Sequence, residues 1–165
     1  MADTPASLTY SSVVSRESVR IALLLAALNG LDVKTCDIGN AYLNAPCRDK
    51  IWCFAGPEFG NRKGQKIKIV RTLYGLKSSG AAWRAHLADT MINLGYKPCK
   101  ADQDVWMKPN CKPDGEEYYE YIIIYVDDVM AAGNNTDTIM DALKRLYRLK
   151  EEPAEPEHYL GENLL

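Results

Sequence analysis

The sequence predicts an α+β domain built on a mixed or antiparallel β-sheet with helices packed on one face. Three segments carry apolar residues at helical spacing, and six short segments rich in β-branched and aromatic residues lie among them. The two kinds of segment do not alternate regularly, as they would in a doubly wound parallel sheet. At 165 residues and 18.5 kDa, the chain has the length of one domain with a single hydrophobic core.

Each predicted helix has end signals that agree with its apolar stripe. The helices span about Arg16 to Leu28, Ser79 to Leu94, and a third segment that follows Asn135. Ser15 and Asn135 are residue types that cap helix N-termini, and Gly95 is typical of a C-terminal cap. Each of these helices should bury one side.

The six strand candidates lie between the helices. They are Leu31 to Ile38, Lys50 to Phe54, Lys66 to Val70, Val105 to Lys108, Tyr118 to Tyr125, and Val129 to Ala132. Pro113-Asp114-Gly115 predicts a turn between two of them, and the acidic, proline-containing tail from Glu151 to Glu157 predicts a loop.

Composition excludes several classes of protein. Apolar residues make up 47% and charged residues 25%, which is typical of globular chains rather than fibrous or disordered ones. The longest apolar run, Ile21 to Leu28, is far shorter than the roughly 20 residues of a membrane helix. The first residues lack the pattern of a secretory signal, so we expect a cytoplasmic or nuclear protein that is not secreted and has no membrane partner.

The five cysteines contain no Cys-x-x-Cys pair, and there are only two histidines. This pattern gives little support to a structural zinc site or a disulfide framework. We therefore expect reduced thiols.

Charge is distributed unevenly along the chain, although the net charge is only -2. Residues 61–84 contain no acid and seven basic side chains, namely Arg62, Lys63, Lys66, Lys68, Arg71, Lys77 and Arg84. Such a segment could form a face that binds nucleic acid, or it could be a solvated strand pair followed by the start of a helix. A second basic cluster, Lys144, Arg145, Arg148 and Lys150, follows a predicted helix and is interpreted as structural.

Two adjacent carboxylates, Asp127 and Asp128, interrupt a run of apolar residues from Tyr121 to Met130. No Lys or Arg lies within ten residues on either side, and burial of an unpaired ion costs several kcal/mol. A hairpin turn that exposes both groups is one explanation. The apolar flanks, however, leave room only for a tight turn without Gly or Asn, which is the kind of strained arrangement found at functional sites.

A divalent cation would relieve the repulsion between these acids. Magnesium takes carboxylate oxygens, and phosphoryl-transfer sites often hold two ions about 4 Å apart. The best candidate for a third acid is Asp37, at the end of an apolar strand, with Gly39 and Tyr42 shortly after it. Alternatively, Asp37 caps a short helix from Gly39 to Leu43.

These residues occur in an order that resembles the reverse transcriptases of Ty1/copia-type retrotransposons. The matching motifs are Val14-Ser15-Arg16-Glu17-Ser18-Val19-Arg20, Asp37-Ile38-Gly39-Asn40-Ala41-Tyr42-Leu43, Thr72-Leu73-Tyr74-Gly75-Leu76-Lys77-Ser78, Ala82-Trp83, Lys100-Ala101-Asp102, Tyr125-Val126-Asp127-Asp128 and His158-Tyr159-Leu160-Gly161. Each motif is weak by itself, but together they cover nearly the whole chain from about residue 10.

The resemblance implies a polymerase palm-like sheet with a small finger-like insertion, and an RNA-directed DNA polymerase as the activity. It assigns Asp37, Asp127 and Asp128 as catalytic, metal-binding acids for two Mg²⁺ ions, with Mn²⁺ as an alternative. It places the residues Ile38, Gly39, Asn40, Ala41, Tyr42 and Lys77 near the incoming dNTP, with Tyr42 excluding a ribose 2′-hydroxyl. The residues it assigns to the RNA and DNA template–primer are Lys66, Lys68, Arg71, Tyr125, Val126, Tyr159 and Gly161.

The resemblance also implies that residues 1–165 are part of a larger polyprotein that acts in cytoplasmic virus-like particles or the nucleus. Upstream finger strands, a thumb and an RNase H part are expected to be absent from this chain. Ala45-Pro46-Cys47 departs from the family's usual Gly-x-Leu.

Two other functions compete with this one. The chain could be a truncated or domesticated remnant that binds nucleic acid or a partner without catalysis. It could also be another palm-based phosphotransfer enzyme such as a nucleotidyl cyclase, although it lacks the turn motif of that class.

Overall fold

The structure is a computed structural model that describes residues 13–156, together with the backbone of 158–159 and 162–163. In chain order its elements are α1 (Arg16–Leu28), β1 (Asp32–Asp37), α2 (Ala41–Asn44), β2 (Trp52–Phe54), a 3₁₀ segment (Pro57–Arg62), β3 (Lys66–Lys68), α3 (Ser79–Asn93), β4 (Lys97–Pro98), β5 (Val105–Cys111), β6 (Glu117–Tyr125), β7 (Asp128–Gly133), α4 (Thr136–Leu146), β8 (His158–Tyr159) and β9 (Glu162–Asn163).

The chain divides into two compact units, which are described separately. Among the described residues, the sheet unit comprises 13–39 and those from Ala88 onward, and the hairpin unit comprises Asn40–Leu87. The boundary between them falls within α3.

The sheet unit is built on five strands in the order β1-β7-β6-β5-β4. Every neighbouring pair runs antiparallel, which confirms the α+β class and the antiparallel form of the predicted sheet. The predicted turn at Pro113-Asp114-Gly115 joins β5 to β6, with Gly115 at a φ of 91°. The very short β4 was not among the predicted strands.

Capping side chains explain where two helices of the sheet unit begin. The Ser15 hydroxyl accepts a hydrogen bond from the Ser18 N–H at 3.1 Å, and Asn135 Oδ1 accepts one from the Thr138 N–H at 3.3 Å. Both residues satisfy N–H groups that have no partner within the helix. The predicted bounds of α1 and the predicted start of α4 are therefore confirmed.

The helix α1 covers one face of the sheet. Its buried residues Ala22 and Ala26 cluster with Ile123, Met130 and Ala132 of β6 and β7. Small side chains on α1 let the helix approach the sheet closely.

The helix α4 covers the opposite face, so the prediction that the helices share one face was wrong. A Cβ at Gly133 would lie 3.5 Å from Ile139 Cδ1 of α4. Because successive residues of a strand point to opposite faces, this side of β7 is the one opposite Met130 and Ala132, which pack against α1. The central strand β7 explains this result. Val129 and Ala131 on one side of it are as fully buried as Met130 on the other, and a strand that is apolar on both sides needs cover on both.

The hairpin unit contains α2, the antiparallel pair β2–β3 and the first part of α3. Thr72 is fully buried, and it ties the strand end to α2 by donating its hydroxyl to the Tyr42 carbonyl and its N–H to the Ala45 carbonyl at 3.0 Å. The register of the pair aligns Trp52 with Lys68 and Phe54 with Lys66.

All five cysteines are free thiols in the structure, namely Cys36, Cys47, Cys53, Cys99 and Cys111. Within the ranges described above, no helix is long and apolar enough to cross a bilayer.

Candidate active site

The sheet unit brings three widely spaced acids to one end of its central strands. Asp37 is the last residue of β1 and lies directly opposite Asp128, the first residue of β7. Cross-strand partners of this kind project from the same face. Asp127 precedes Asp128 in the β6–β7 turn, and its carbonyl accepts a hydrogen bond from the Ile38 N–H at 2.9 Å.

This position of Asp37 excludes its alternative role as a helix cap. The helix α2 begins after Asn40, whose backbone is left-handed with a φ of 51° and whose side chain makes no capping bond. Asp37 instead belongs to β1.

The β6–β7 turn is strained in the way that its sequence suggests. Tyr125 pairs with Asp128, so Val126 and Asp127 form a two-residue loop, and Val126 has a φ of 58°. Hairpin loops of this length need positive φ at the first position, which normally takes Gly, and a β-branched residue there is an outlier. The strain holds the Asp127 carboxylate at the tip of the sheet, where its side chain is only 25% exposed.

A lysine distant in sequence binds two of these acids. Lys150 Nζ lies 2.6 Å from Asp37 Oδ2 and 3.2 Å from Asp127 Oδ2. The sequence groups Lys150 with the basic cluster at the helix end, and its ion pairs with Asp37 and Asp127 were not predicted. Its neighbour Lys144 does pair locally, with Glu152 at 2.6 Å.

The electrostatics of the site follow from burial and from this crowding of charge. Burial, followed by repulsion from Asp127 and Asp37, raises the pKa of Asp128, while Lys150 partly offsets the rise. Hydrogen bonding to Asp37 and Asp127 raises the pKa of Lys150, so its side chain stays protonated. Burial, with repulsion from Asp37 and Asp128, raises the pKa of Cys36 to about 12 and keeps it a thiol.

The donor set suits a hard divalent cation, since it consists of carboxylate oxygens at the end of a sheet. Asp37 Oδ1 is buried and accepts no hydrogen bond from any described residue, which leaves one oxygen available as a ligand. Within residues 13–156, no three His, Cys, Asp or Glu side chains lie in an arrangement that could hold an ion. The ammonium of Lys150 stands where Asp37 and Asp127 would share a cation.

The residues expected near a dNTP lie in both units. Ile38 is fully buried and its N–H is used by Asp127, while the Gly39 N–H bonds to the Arg148 carbonyl at 2.8 Å. The backbone of Arg148 packs closely against Gly39, because a Cβ at Gly39 would meet the Arg148 carbonyl oxygen at 3.0 Å.

The other expected nucleotide-site residues belong to the hairpin unit, where Asn40 and Ala41 lead into α2. The half-buried Tyr42 ring lies 4.5 Å from the Tyr74 ring at an angle of 56°. Tyr74 itself is 64% exposed, and Lys77 is exposed. The contact with Tyr74 was not anticipated from the sequence.

The residues expected at the template and primer include a well-defined surface on β2–β3. Lys66 and Lys68 share one face with their partners Phe54 and Trp52, and Lys66 Nζ lies 5.3 Å from the centre of the Trp52 ring. We call these four residues the hairpin face. Trp52 is 50% and Phe54 76% exposed. The aromatic pair was not predicted from the sequence, although its alternation with Cys53 was a signal that could have revealed it.

Five further residues are expected at the template or primer. The Arg71 guanidinium donates to the Asn44 carbonyl at 2.9 Å. Tyr125 and Val126 form the strand end and turn beside the acids. Tyr159 lies in β8, of which only the backbone is described, and Gly161 lies outside the described residues.

Comparison with known proteins agrees with this arrangement. Residues 2–164 match the family described as reverse transcriptase (RNA-dependent DNA polymerase), so the chain belongs to that family. Its curated relatives are Pol polyproteins of Ty1/copia-type retrotransposons.

Three of these relatives illustrate the similarity. The Retrovirus-related Pol polyprotein from transposon RE1 of Arabidopsis thaliana is 27% identical over 92% of this chain. The corresponding polyprotein from transposon TNT 1-94 of Nicotiana tabacum is 28% identical over 79% of it, and the Transposon Ty1-MR1 Gag-Pol polyprotein of Saccharomyces cerevisiae is 28% identical over 90% of it. The chain spans 8–10% of the length of these relatives.

Proposed function

We propose that this chain carries the catalytic acids and part of the template-binding surface of a retrotransposon polymerase that transfers a nucleotide from dNTP to a primer 3′-hydroxyl. The observation that carries the proposal is the convergence of Asp37, Asp127 and Asp128 at one end of an antiparallel sheet. We further propose that the sheet unit is the polymerase palm and that the hairpin unit is its finger-like insertion.

The three acids would hold the metal ions of the reaction. Asp37 offers a buried, unengaged oxygen, and Asp127 is held beside it by the strained turn. When bound, two Mg²⁺ ions lower the pKa of a primer hydroxyl and neutralise the triphosphate. The chain's own contribution is to fix the direction of the carboxylates, since none of these side chains has to act as a nucleophile.

The hairpin face would bind the template strand. Exposed aromatic rings stack with unpaired bases whatever their sequence, and neighbouring lysines neutralise phosphates. Trp52 and Phe54 supply the rings and Lys66 and Lys68 the charges. Tyr42, held against Tyr74, would exclude a ribose 2′-hydroxyl from the nucleotide.

A second candidate function is nucleic-acid binding without catalysis. The ammonium of Lys150 within the acid cluster favours this alternative, because the carboxylates are already paired without metal. The rest of a polyprotein would then supply any catalytic function.

Primer extension on an RNA template, with the polymerase that contains this chain and a Mg²⁺ titration, distinguishes the two functions. Asp127→Asn should abolish extension, whereas Asp141→Asn, at an exposed acid on α4, should leave it unchanged. Normal extension by Asp127→Asn would refute the catalytic assignment.

Binding by the hairpin face can be measured on the chain itself. Trp83 and Trp106 are 2% and 5% exposed, so quenching of tryptophan fluorescence by single-stranded RNA would report mainly on Trp52. Lys66→Gln and Lys68→Gln should each reduce the salt dependence of binding, log K against log salt, by about 0.7. Lys97→Gln, an exposed lysine of β4, is the control and should change neither quantity.

A further inference from the structure

We propose that the Lys150 ammonium is a built-in counter-cation, which holds Asp37 and Asp127 together in the absence of metal and must leave before a divalent ion can bind them. The inference deepens the proposed function and rests on it, because it concerns the same carboxylates. It adds a residue that sets the affinity of the site for metal.

The position of Lys150 is fixed by backbone hydrogen bonds. Its N–H donates to the Asp37 carbonyl at 2.9 Å, the Arg148 carbonyl accepts from the Gly39 N–H at 2.8 Å, and Leu149 forms an antiparallel bridge with Ile38. Residues 148–150 thus run alongside the end of β1. These backbone contacts keep the Lys150 ammonium within reach of Asp37 and Asp127 in the folded chain.

The C-terminal end of α4 directs the chain to this place. Tyr147, which ends the helix, is 5% exposed, and its N–H bonds to the Leu143 carbonyl at 2.8 Å. Its hydroxyl lies 2.6 Å from Thr90 Oγ1. A buried anchor three residues before Lys150 limits where the lysine backbone can go.

Lys150 and a divalent ion cannot use the same oxygens at once. The ammonium already contacts Asp37 Oδ2 and Asp127 Oδ2, and a Mg²⁺ ligand must come within about 2.1 Å of the ion. The lysine side chain is 47% exposed and has a flexible stem, so it can swing into water when an ion arrives. Three carboxylates against one ammonium leave an excess of negative charge that attracts the ion.

This competition predicts that removal of the ammonium tightens metal binding. Mn²⁺ binding to the chain would be measured without nucleotide or nucleic acid. The methods are titration calorimetry and the electron paramagnetic resonance signal of the free ion. Lys150→Met should bind Mn²⁺ about tenfold more tightly than the wild type, because the ion no longer competes with the ammonium for the carboxylates. Lys150→Arg should keep the wild-type affinity.

The control variant is Lys144→Met. Lys144 belongs to the same basic cluster and pairs with Glu152 rather than with the three acids. It removes the same charge, so any effect of net charge alone would appear in both variants, whereas a specific displacement appears only at Lys150.

Thermal unfolding gives a second readout. In chelator, Lys150→Met should melt below the wild type because its acids lack a partner, and Mn²⁺ should raise its melting temperature by more than it raises that of the wild type.

A third measurement avoids substitution altogether. In NMR spectra of the wild-type chain, the chemical shift of the Lys150 Nζ should move from the value of an ion-paired ammonium to that of a solvated one as Mg²⁺ is added. A resonance that stays in place at saturating ion would overturn the proposal.

The outcomes separate this inference from the proposed function. Equal Mn²⁺ affinity for the wild type and Lys150→Met overturns the counter-cation and leaves the metal site intact. No binding by either protein overturns both. Tighter binding by Lys150→Met that Asp37→Asn removes supports both.

Discussion

Replacing Gly39 with alanine should detach residues 148–150 from the end of β1. A Cβ at this position would lie 3.0 Å from the Arg148 carbonyl oxygen, which the Gly39 N–H holds at 2.8 Å. Ordinary van der Waals contacts of a Cβ begin at 3.4 Å. The Arg148 oxygen belongs to the backbone, so it cannot rotate away as a side chain would. Overpacking of this kind costs about 1–3 kcal/mol, partly offset by about 0.5–1 kcal/mol because alanine loses less freedom on folding than glycine.

Taken at the middle of each range, the net loss is about 1 kcal/mol, which lowers the melting temperature of a chain of this size by about 2–4 °C. Urea unfolding would measure the change, with Gly133→Ala as the control. At Gly133 the nearest contact of a new Cβ is 3.4 Å, to Glu120 Cγ, which is an ordinary van der Waals distance, so a smaller change is expected.

A double-mutant cycle extends this prediction to the acid cluster. If Gly39→Ala displaces Lys150, then Lys150→Met should cost less stability in the alanine background than in the wild type. A Gly39→Ala chain as stable as the wild type, or additive effects of the two substitutions, would refute the argument that this glycine positions the lysine.

Two other contacts of the sheet unit give predictions for unfolding experiments. Burial raises the pKa of Asp102, but hydrogen bonds from the Ser15 N–H, the Ser18 hydroxyl and a further N–H bring the net value below the ordinary one. Its stabilising effect is therefore present above the ordinary pKa and lost as pH falls through the lowered value. Asp102→Asn should cost about 1 kcal/mol at pH 7, and the difference from wild type should shrink below about pH 4 in urea titrations; a constant difference would contradict the sign. Tyr147→Phe removes the hydroxyl that lies 2.6 Å from Thr90 Oγ1 and should cost about 1 kcal/mol. A cycle with Thr90→Val that shows no coupling would contradict that contact.

Much of the fold was predictable because its signals are local. The caps Ser15 and Asn135 and the apolar stripes determine where the helices begin, and runs of β-branched and aromatic residues mark the strands of the sheet. The acid cluster was predictable for a different reason. Asp127 and Asp128 interrupt a run of buried apolar residues, and two adjacent charges in such a run are conspicuous in the sequence itself.

The rest depended on contacts between distant parts of the chain. Lys150 follows a helix by four residues, and nothing near it in sequence indicates that it crosses to Asp37. The placement of α4 on the second face of the sheet depends on the spatial order of the strands within the sheet. Trp52 and Phe54 lie on the same face as Lys68 and Lys66 only because of the register between β2 and β3.

The pairing of Asp37 with Asp128 has a consequence for insertions and deletions in the gene. Because neighbouring residues of a strand point to opposite sides, gain of one codon within β1 would turn Asp37 away and bring Cys36 into its place opposite Asp128. A chain that still folded after such a change would keep its helices and its sheet, but Asp37 would no longer lie beside Asp128. Copies of this element that carry frame-preserving indels should therefore retain a working site only where the indel falls outside β1 and the β6–β7 turn.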